Sequence, residues 1–444
     1  MRLKILPPQN WPCHQSPIDF GAITPDYCPE TLQRQGNPSC AANPEHEMHS
    51  SLGTPRAALM AVFAAFGAIF GTFSGSVPQL VANYGLNNAS YGLGITMMVA
   101  ATVCAMSLSG FMARHFSHRH LLVVLLPLTF GLMAALFTAT EPALFYILAT
   151  LLGFASGALD VIMNAEGGQI EVDMQRPVYM AFHGSVSLSL AVFAILSSLL
   201  STNFGTHVSI LAASTAVIAA TVLVGLNVPI RTVTSISNQG AKPALRAAFT
   251  RPLFIIGLCA GLVISVEVTA LLWSSKLLAE TAPQFAAISG LGAAFFGLCN
   301  ALVRFPSDGL RARFGDLHVM MTSVWLAIIG FAGLGLTTSF ASNVFFFALV
   351  GMGVALLAPS LLAMAARETP RNRAAGISVA MLIAGAPRIV APTAFGEIAE
   401  MFSTRVAFGL CAILLIGAFL FMNTLRVMKR SSAEMTSSTP ANSM

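Results

Sequence analysis

In the run GALDVIMNAEGGQIEVDMQRPVYMAFHG (residues 157–184) an aspartate stands deep among apolar residues. Asn164 follows Asp160 at i+4 and shares its helical face, and His183 waits beyond the next turn, which the Gly and Pro content places near 167–176. A carboxylate and an imidazole both change charge when their surroundings alternate between wet and dry. At one depth they could exchange a proton with water, or they could clasp two helices as a purely structural polar pair. Both readings stay open. Glu267 and Arg388 form a second constellation, each alone in an apolar run. They could neutralise each other, or Arg388 could hold an anion while Glu267 takes a proton. Arg304, Asp308, Arg311 and Arg313 crowd one short stretch, and Trp273 ends an apolar run as an interface anchor or as a roof over a cavity.

The solvent around these groups follows from composition. Of 444 residues, 55% are hydrophobic and 9% charged, where a soluble chain carries about a quarter charged residues. Too few charges remain to coat a water-facing surface, so the chain reads as an all-α polytopic membrane protein. Twelve runs long enough to cross a bilayer centre near residues 68, 102, 130, 154, 190, 219, 263, 294, 328, 354, 386 and 414. Basic residues mark the orientation. With both termini inside, only Lys276, Arg405 and the intramembrane Arg388 are exceptions, so 20 of the 23 Lys and Arg (23 minus 3) fall on the cytoplasmic side. At 1.5 Å per residue Asp160 lies about 27 Å along the fourth span, and Glu267 and Arg388 lie about 21–23 Å along the seventh and eleventh. The matching depths of the last two suggest a Glu267–Arg388 pair. The net charge of +5 is scattered singly and gives no nucleic-acid footprint.

The longest internal break, 231–251, divides the spans six and six. SGFMARHFSHRH (109–120) and SDGLRARFGDLH (307–318) are similar at an offset of about 198 residues, which also carries Gly153 to Gly351. Two six-helix halves, 56–230 and 252–426, are therefore expected to be related by a pseudo-twofold axis normal to the membrane. Gly67, Gly71 and Gly75, and Gly153 and Gly157, are spaced for close helix approach. Residues 1–55, Pro-rich and polar, read as a disordered extension or as a segment preceding a true start at Met48, and 427–444 as a cytoplasmic tail. Seven cysteines show no metal spacing. There is no HExxH, nucleophile elbow or P-loop lysine, so neither an enzyme nor a cofactor is expected.

The fourth-span run resembles that of the YbjJ-like bacterial branch of the major facilitator superfamily, with its G-x-x-D-V-x-M-N pattern followed by R-P and F-H. SVEVTALLWSS resembles the branch's E-x5-W-S element at Glu267, Trp273 and Ser274. RFPSDGLRARFG is similar to its R-x3-D-x-L-x-x-R-F-G element at Arg304, Asp308, Leu310, Arg313, Phe314 and Gly315. Weaker similarity continues through GMGVALLAPS and GAPRIVAPTAFGEIAE. The resemblance covers roughly 56–426. It implies the superfamily fold and a secondary carrier of a small solute, proton-linked, working as a monomer by alternating access in the bacterial inner membrane. It implies a solute cavity near Asp160, Asn164, His183, Glu267, Trp273 and Arg388, and a cytoplasmic gate at Arg304, Asp308, Arg311 and Arg313. The chain departs from the family after span two, where Arg114 and the cluster His115, His118, Arg119 and His120 replace the usual latch aspartate. Val303 and Ser307 stand where glycines are usual. A metabolite or drug exporter, or a scaffold that kept the fold and lost transport, are the alternatives.

Overall fold

The computed structural model describes residues 53–176, 178–230, 249–369 and 373–437, and every regular element among them is helical. The first half holds α1 (Gly53–Gly75), α2 (Val77–Tyr84), α3 (Asn88–His115), α4 (His118–Thr138), α5 (Pro142–Met174), α6 (Tyr179–Phe204) and α7 (Thr206–Asn227). The second holds α8 (Arg251–Thr281), a 3-10 turn (Pro283–Ile288), α9 (Leu291–Arg304), α10 (Ser307–Phe314), α11 (Asp316–Leu336), α12 (Phe340–Val354), α13 (Leu357–Glu368), α14 (Arg373–Met401) and α15 (Thr404–Ser437).

Among the described residues, eleven helices are long and apolar enough to cross a membrane. The run expected near 294 falls on the shorter apolar helix Leu291–Arg304. It is fourteen residues long and ends before Pro306, whose ring cannot continue an α-helical ladder. Local chemistry sets the helix ends. Asn87 accepts from Ser90 N at 2.8 Å to cap α3, and Thr250 caps α8 by accepting from Leu253 N. Gly85 closes α2 with φ +60°, a left-handed conformation that glycine adopts without strain.

The fourth-span turn differs from expectation. Helix α5 runs through Gly167 and Gly168 to Met174 and turns only at Gln175–Val178. Gly167 lies under the rings of Phe182 and Tyr179, while Gly168 faces open space. The α6 N-terminus is satisfied by Glu171, which accepts from Val178 N at 2.9 Å and Tyr179 N at 2.7 Å.

Packing repeats with the sequence offset. A Cβ on Gly153 would collide with the backbone of Met98, and one on Gly351 with that of Phe296; both pairs are related by 198 residues. In the same way Gly67 and Gly71 of α1 press on Val186 and Leu190 of α6, while Gly257 and Gly261 of α8 press on Ala380 and Ala384 of α14. Lipid offers no hydrophobic drive between helices, so close backbone approach and interhelical hydrogen bonds supply the attraction. A buried serine cluster adds to it: Ser76 bonds Ser197 (2.9 Å) and Ser201 (2.7 Å), and Ser201 bonds Ser209 (3.0 Å). The residues from Ser51 onward form one compact unit.

Candidate functional site

Hydrogen bonds joining the first six spans to the last six cluster at the end of the bundle where α3 begins, here the Asn88 end. Asn88 N donates to Glu400 Oε2 at 2.8 Å and its side chain to Ala399 O. Thr96 and Thr393 hydroxyls meet at 2.7 Å, and Tyr91 OH donates to Leu272 O at 3.0 Å. Ser74 donates to Leu271 O, and Ser198 donates to Ala287 O while accepting from Gly290 N. Gly92 and Gly396 bring α3 and α14 backbone to backbone. Trp273, fully buried, fills this seal between Tyr91 (4.8 Å between ring centroids) and Phe395 (4.7 Å). Trp273 is buried beside Leu272, which lines the cavity, and is not itself among the lining residues.

Below the seal lies a cavity of about 440 Å³. Helices of both halves line it, with Phe66, Phe70, Met98, Met106, Leu190 and Phe296 giving an apolar wall. Four charges interrupt that wall: Asp160 from α5, Glu267 from α8, Arg304 from α9 and Arg388 from α14. An ionisable group inside a membrane protein is costly and persists where it faces a cavity or a partner; all four of these face the cavity.

Asp160 Oδ1 accepts from Asn164 Nδ2 at 3.0 Å, and Asn164 Oδ1 accepts from Tyr179 OH at 2.7 Å. The i+4 spacing thus builds a Tyr179–Asn164–Asp160 chain that fixes the carboxylate. His183 does not join it as expected. Its ring packs on Phe63 (5.5 Å) and Tyr179 (4.9 Å), and Tyr179 takes the place facing Asn164. Among the described residues His183 is held by these ring contacts and not by a polar one to Asp160.

The expected Glu267–Arg388 pair is also replaced. Glu267 Oε1 accepts from Arg304 Nη2 at 3.1 Å and weakly from Asn300 Nδ2 at 3.5 Å. Arg304 is held a second time, Nε donating to Ala355 O at 3.2 Å. That carbonyl is available because Pro359, four residues on, has no N–H to give it. Arg304 was expected at the cytoplasmic gate, and its long side chain instead reaches into the cavity. Arg388 stays within electrostatic reach of both Asp160 and Glu267, but it makes no hydrogen bond or ion pair among the described residues, and its Nε is buried without a partner. The side chains of Asp308 and Arg311 lie outside the described residues. Arg313 is exposed, with its guanidinium over Phe314.

Two groups escaped sequence reasoning. Asn300 lines the cavity with its Oδ1 buried and unpartnered; a lone Asn in an apolar run was the available signal. Glu166 of α5 meets His118 Nδ1 of α4 at 2.8 Å, with side chains 0% and 8% exposed, away from the cavity. Glu166 stands six residues after Asp160, so a second carboxylate in that run was visible, but its azimuth on the helix was not. Among the described residues no His, Cys, Asp and Glu cluster could hold a metal.

A family model described as Major Facilitator Superfamily matches residues 58–299 and 278–442. The chain belongs to the major facilitator superfamily. It is therefore a multi-pass membrane protein of a transporter family, and not an enzyme. An uncharacterized transporter, y4wD, of Sinorhizobium fredii is 27% identical over 80% of this chain and 94% of its own length. An uncharacterized MFS-type transporter of Yersinia pestis is 27% identical over 77% and 88%. The membrane protein MosC of Rhizobium meliloti is 24% identical over 75% and 81%. Among solved structures, the nucleoside transporter NupG in a mutant form superposes with a TM-score of 0.70 at 16% identity, covering 83% of this chain and 99% of that one. At that identity the likeness concerns the superfamily fold and not the solute. The likeness to the YbjJ-like branch rests on the sequence motifs.

Proposed function

We propose that the chain is a secondary active transporter that carries a small solute through the central cavity by alternating access, coupled to protons. It works as a monomer in the bacterial inner membrane, with twelve crossings and both termini in the cytoplasm. The observation that carries this reading is the cavity itself: an apolar chamber between the two halves, interrupted by two carboxylates and two guanidiniums. A scaffold gains nothing from keeping four charges there.

The basic residues place the Asn88 end outside. This structure then has its outer side shut by the Thr96–Thr393, Asn88–Glu400 and Tyr91–Leu272 contacts. Rocking 56–230 against 252–426 breaks those contacts and closes the opposite end, where the Arg304–Arg313 segment serves as the gate. Packed interfaces of this kind switch between discrete arrangements rather than deforming continuously. Asp160 and Glu267 are the proton carriers. Each is a carboxylate whose surroundings change from aqueous to enclosed in every cycle, and such a change alters proton affinity.

The test is proton movement in proteoliposomes that hold a pH-sensitive dye while metabolites and drugs are added outside. The expected result is a solute that shifts internal pH with the wild-type protein and not with Glu267→Gln or Asp160→Asn. Solute flux unchanged in both variants, with thermal stability raised, would remove the proton-carrier roles.

A further inference from the structure

We propose that the solute is a small organic monoanion, a carboxylate on an apolar or aromatic frame, held by Arg388 and carried together with one proton on Asp160. This rests on the reading of the cavity as a transport site and adds the chemical class of what it carries.

The two guanidiniums of the cavity are not equivalent. Arg304 is committed twice, to Glu267 and to Ala355 O. Arg388 is committed to nothing among the described residues, and its Nε is buried and unpartnered. A guanidinium presents five N–H donors in a planar fork, and leaving a buried donor unmet is costly. A carboxylate meets that fork with two parallel hydrogen bonds, the pairing for which arginine is best suited. Glu267, on the helix packed beside that of Arg388, is already taken up by Arg304 and Asn300. The carboxylate that Arg388 lacks is therefore the solute's.

Charge arithmetic supplies the proton. Asp160 and Glu267 contribute −2 and Arg304 and Arg388 +2, so the fully ionised cavity is neutral and gains nothing by admitting an anion. One proton on a carboxylate leaves +1, matched to a monoanion. Asp160 is the better acceptor because only the neutral Asn164 bonds its side chain, whereas the Glu267 carboxylate already accepts from the Arg304 guanidinium. The groups facing Asp160 are Asn164 on its own helix, Tyr179 of α6 through Asn164, Arg388 of α14, and Glu267 and Arg304 across the cavity. Proton and anion thus each make room for the other, and they cross as a neutral pair. The frame is set by the wall of Phe66, Phe70, Phe296, Met98 and Met106. The unpartnered Asn300 Oδ1 favours a solute hydroxyl as well.

The test measures binding to the purified full chain by thermal melting, with 4-hydroxybenzoate and 3-phenyllactate as probes and their amides as neutral mates. The carboxylates are expected to raise Tm by about 3 °C near saturation, to bind more tightly as pH falls from 8 to 5, and to exceed the amides. Arg388→Gln should weaken carboxylate binding roughly 30-fold or more, with Arg388→Lys recovering part of it. Asp160→Asn, a fixed stand-in for the protonated acid, should keep carboxylate binding and lose its pH dependence, a result that mere structural damage does not produce. Amides binding as well as acids, carboxylate binding intact in Arg388→Gln, or no carboxylate raising Tm would each overturn the proposal. A neutral solute that still drives protons across proteoliposomes would leave the transport reading standing while removing the anion. Proton silence with solutes of every charge would count against the transport reading itself.

Discussion

The first half pairs Glu166 with His118 and the second pairs Glu267 with Arg304, and these two pairs are built differently. In the first half Glu166 meets His118 between α4 and α5, sealed from the cavity. In the second half Glu267 meets Arg304 on the cavity wall, where each keeps nearly a quarter of its surface open. Histidine is an ion-pair partner only when protonated, whereas arginine keeps its charge throughout. The helix packing around these pairs does repeat, as the Gly153–Met98 and Gly351–Phe296 approaches show. The scaffold is thus symmetric where it only has to pack. It is asymmetric where it has to hold charge, and in the proposed function, position relative to the cavity decides whether a carboxylate serves structure or transport.

The comparison breaks most sharply if the sealed pair turns out to matter for transport. Glu166→Ala should cost about 3–5 kcal/mol of stability, the range for breaking a buried pair, read as lost folded yield and lowered Tm. Transport per folded molecule should stay near wild type. Glu267→Gln inverts the pattern: about 2 kcal/mol of stability, because the pair is partly open, with at least about 100-fold loss of proton-coupled flux. The double variant Glu267→Gln with Arg304→Gln should recover stability and not flux, since it removes the uncompensated charge along with its partner. The symmetric side of the comparison is sharpened by Gly153→Ala and Gly351→Ala. Both place a Cβ against a facing backbone and should cost a similar amount, about 1–3 kcal/mol each; a large difference in Tm between them would deny the repeat. The smallest effect belongs to Thr96→Val, which removes two cross-half hydrogen bonds, with the hydroxyl and the N–H of Thr393, together worth about 1.2 kcal/mol. It should shift the balance toward the state open at the Asn88 end, read as about eightfold faster labelling of cavity cysteines from that side.

Much of this was legible before the structure. Apolar runs of helix length stand out against a few charges, so the spans and the offset of 198 residues could be read directly. Asp160, Glu267 and Arg388 were visible for the same reason, since a charge in an apolar run must face a cavity or a partner. Pairing was less legible. Depth arithmetic along straight helices matched Glu267 to Arg388, but it ignored which way each side chain points and how far Arg304 reaches from a neighbouring helix. It also could not foresee that Pro359 frees a carbonyl to anchor that arginine. The turn after α5 was misplaced because Gly167 and Gly168 look like a break. Both lie inside helix α5, Gly167 against aromatic rings that only tertiary structure brings there, and it is Tyr179 rather than His183 that bonds the Asn164–Asp160 pair.

The central claim, that one cavity is reached from the two sides of the membrane in turn, is tested most directly by thiol accessibility. In a background without the native cysteines, Thr102→Cys places a thiol on the cavity wall, and Thr96→Cys with Thr393→Cys replaces a 2.7 Å cross-half contact with a pair able to form a disulfide. The account predicts that an impermeant maleimide labels Thr102→Cys in right-side-out and in inside-out vesicles. Closing the 96–393 disulfide should abolish labelling at the Asn88 side and leave the other intact, and reduction should restore it. Labelling from one side only in the reduced protein, or labelling from both sides with the disulfide closed, would contradict alternating access.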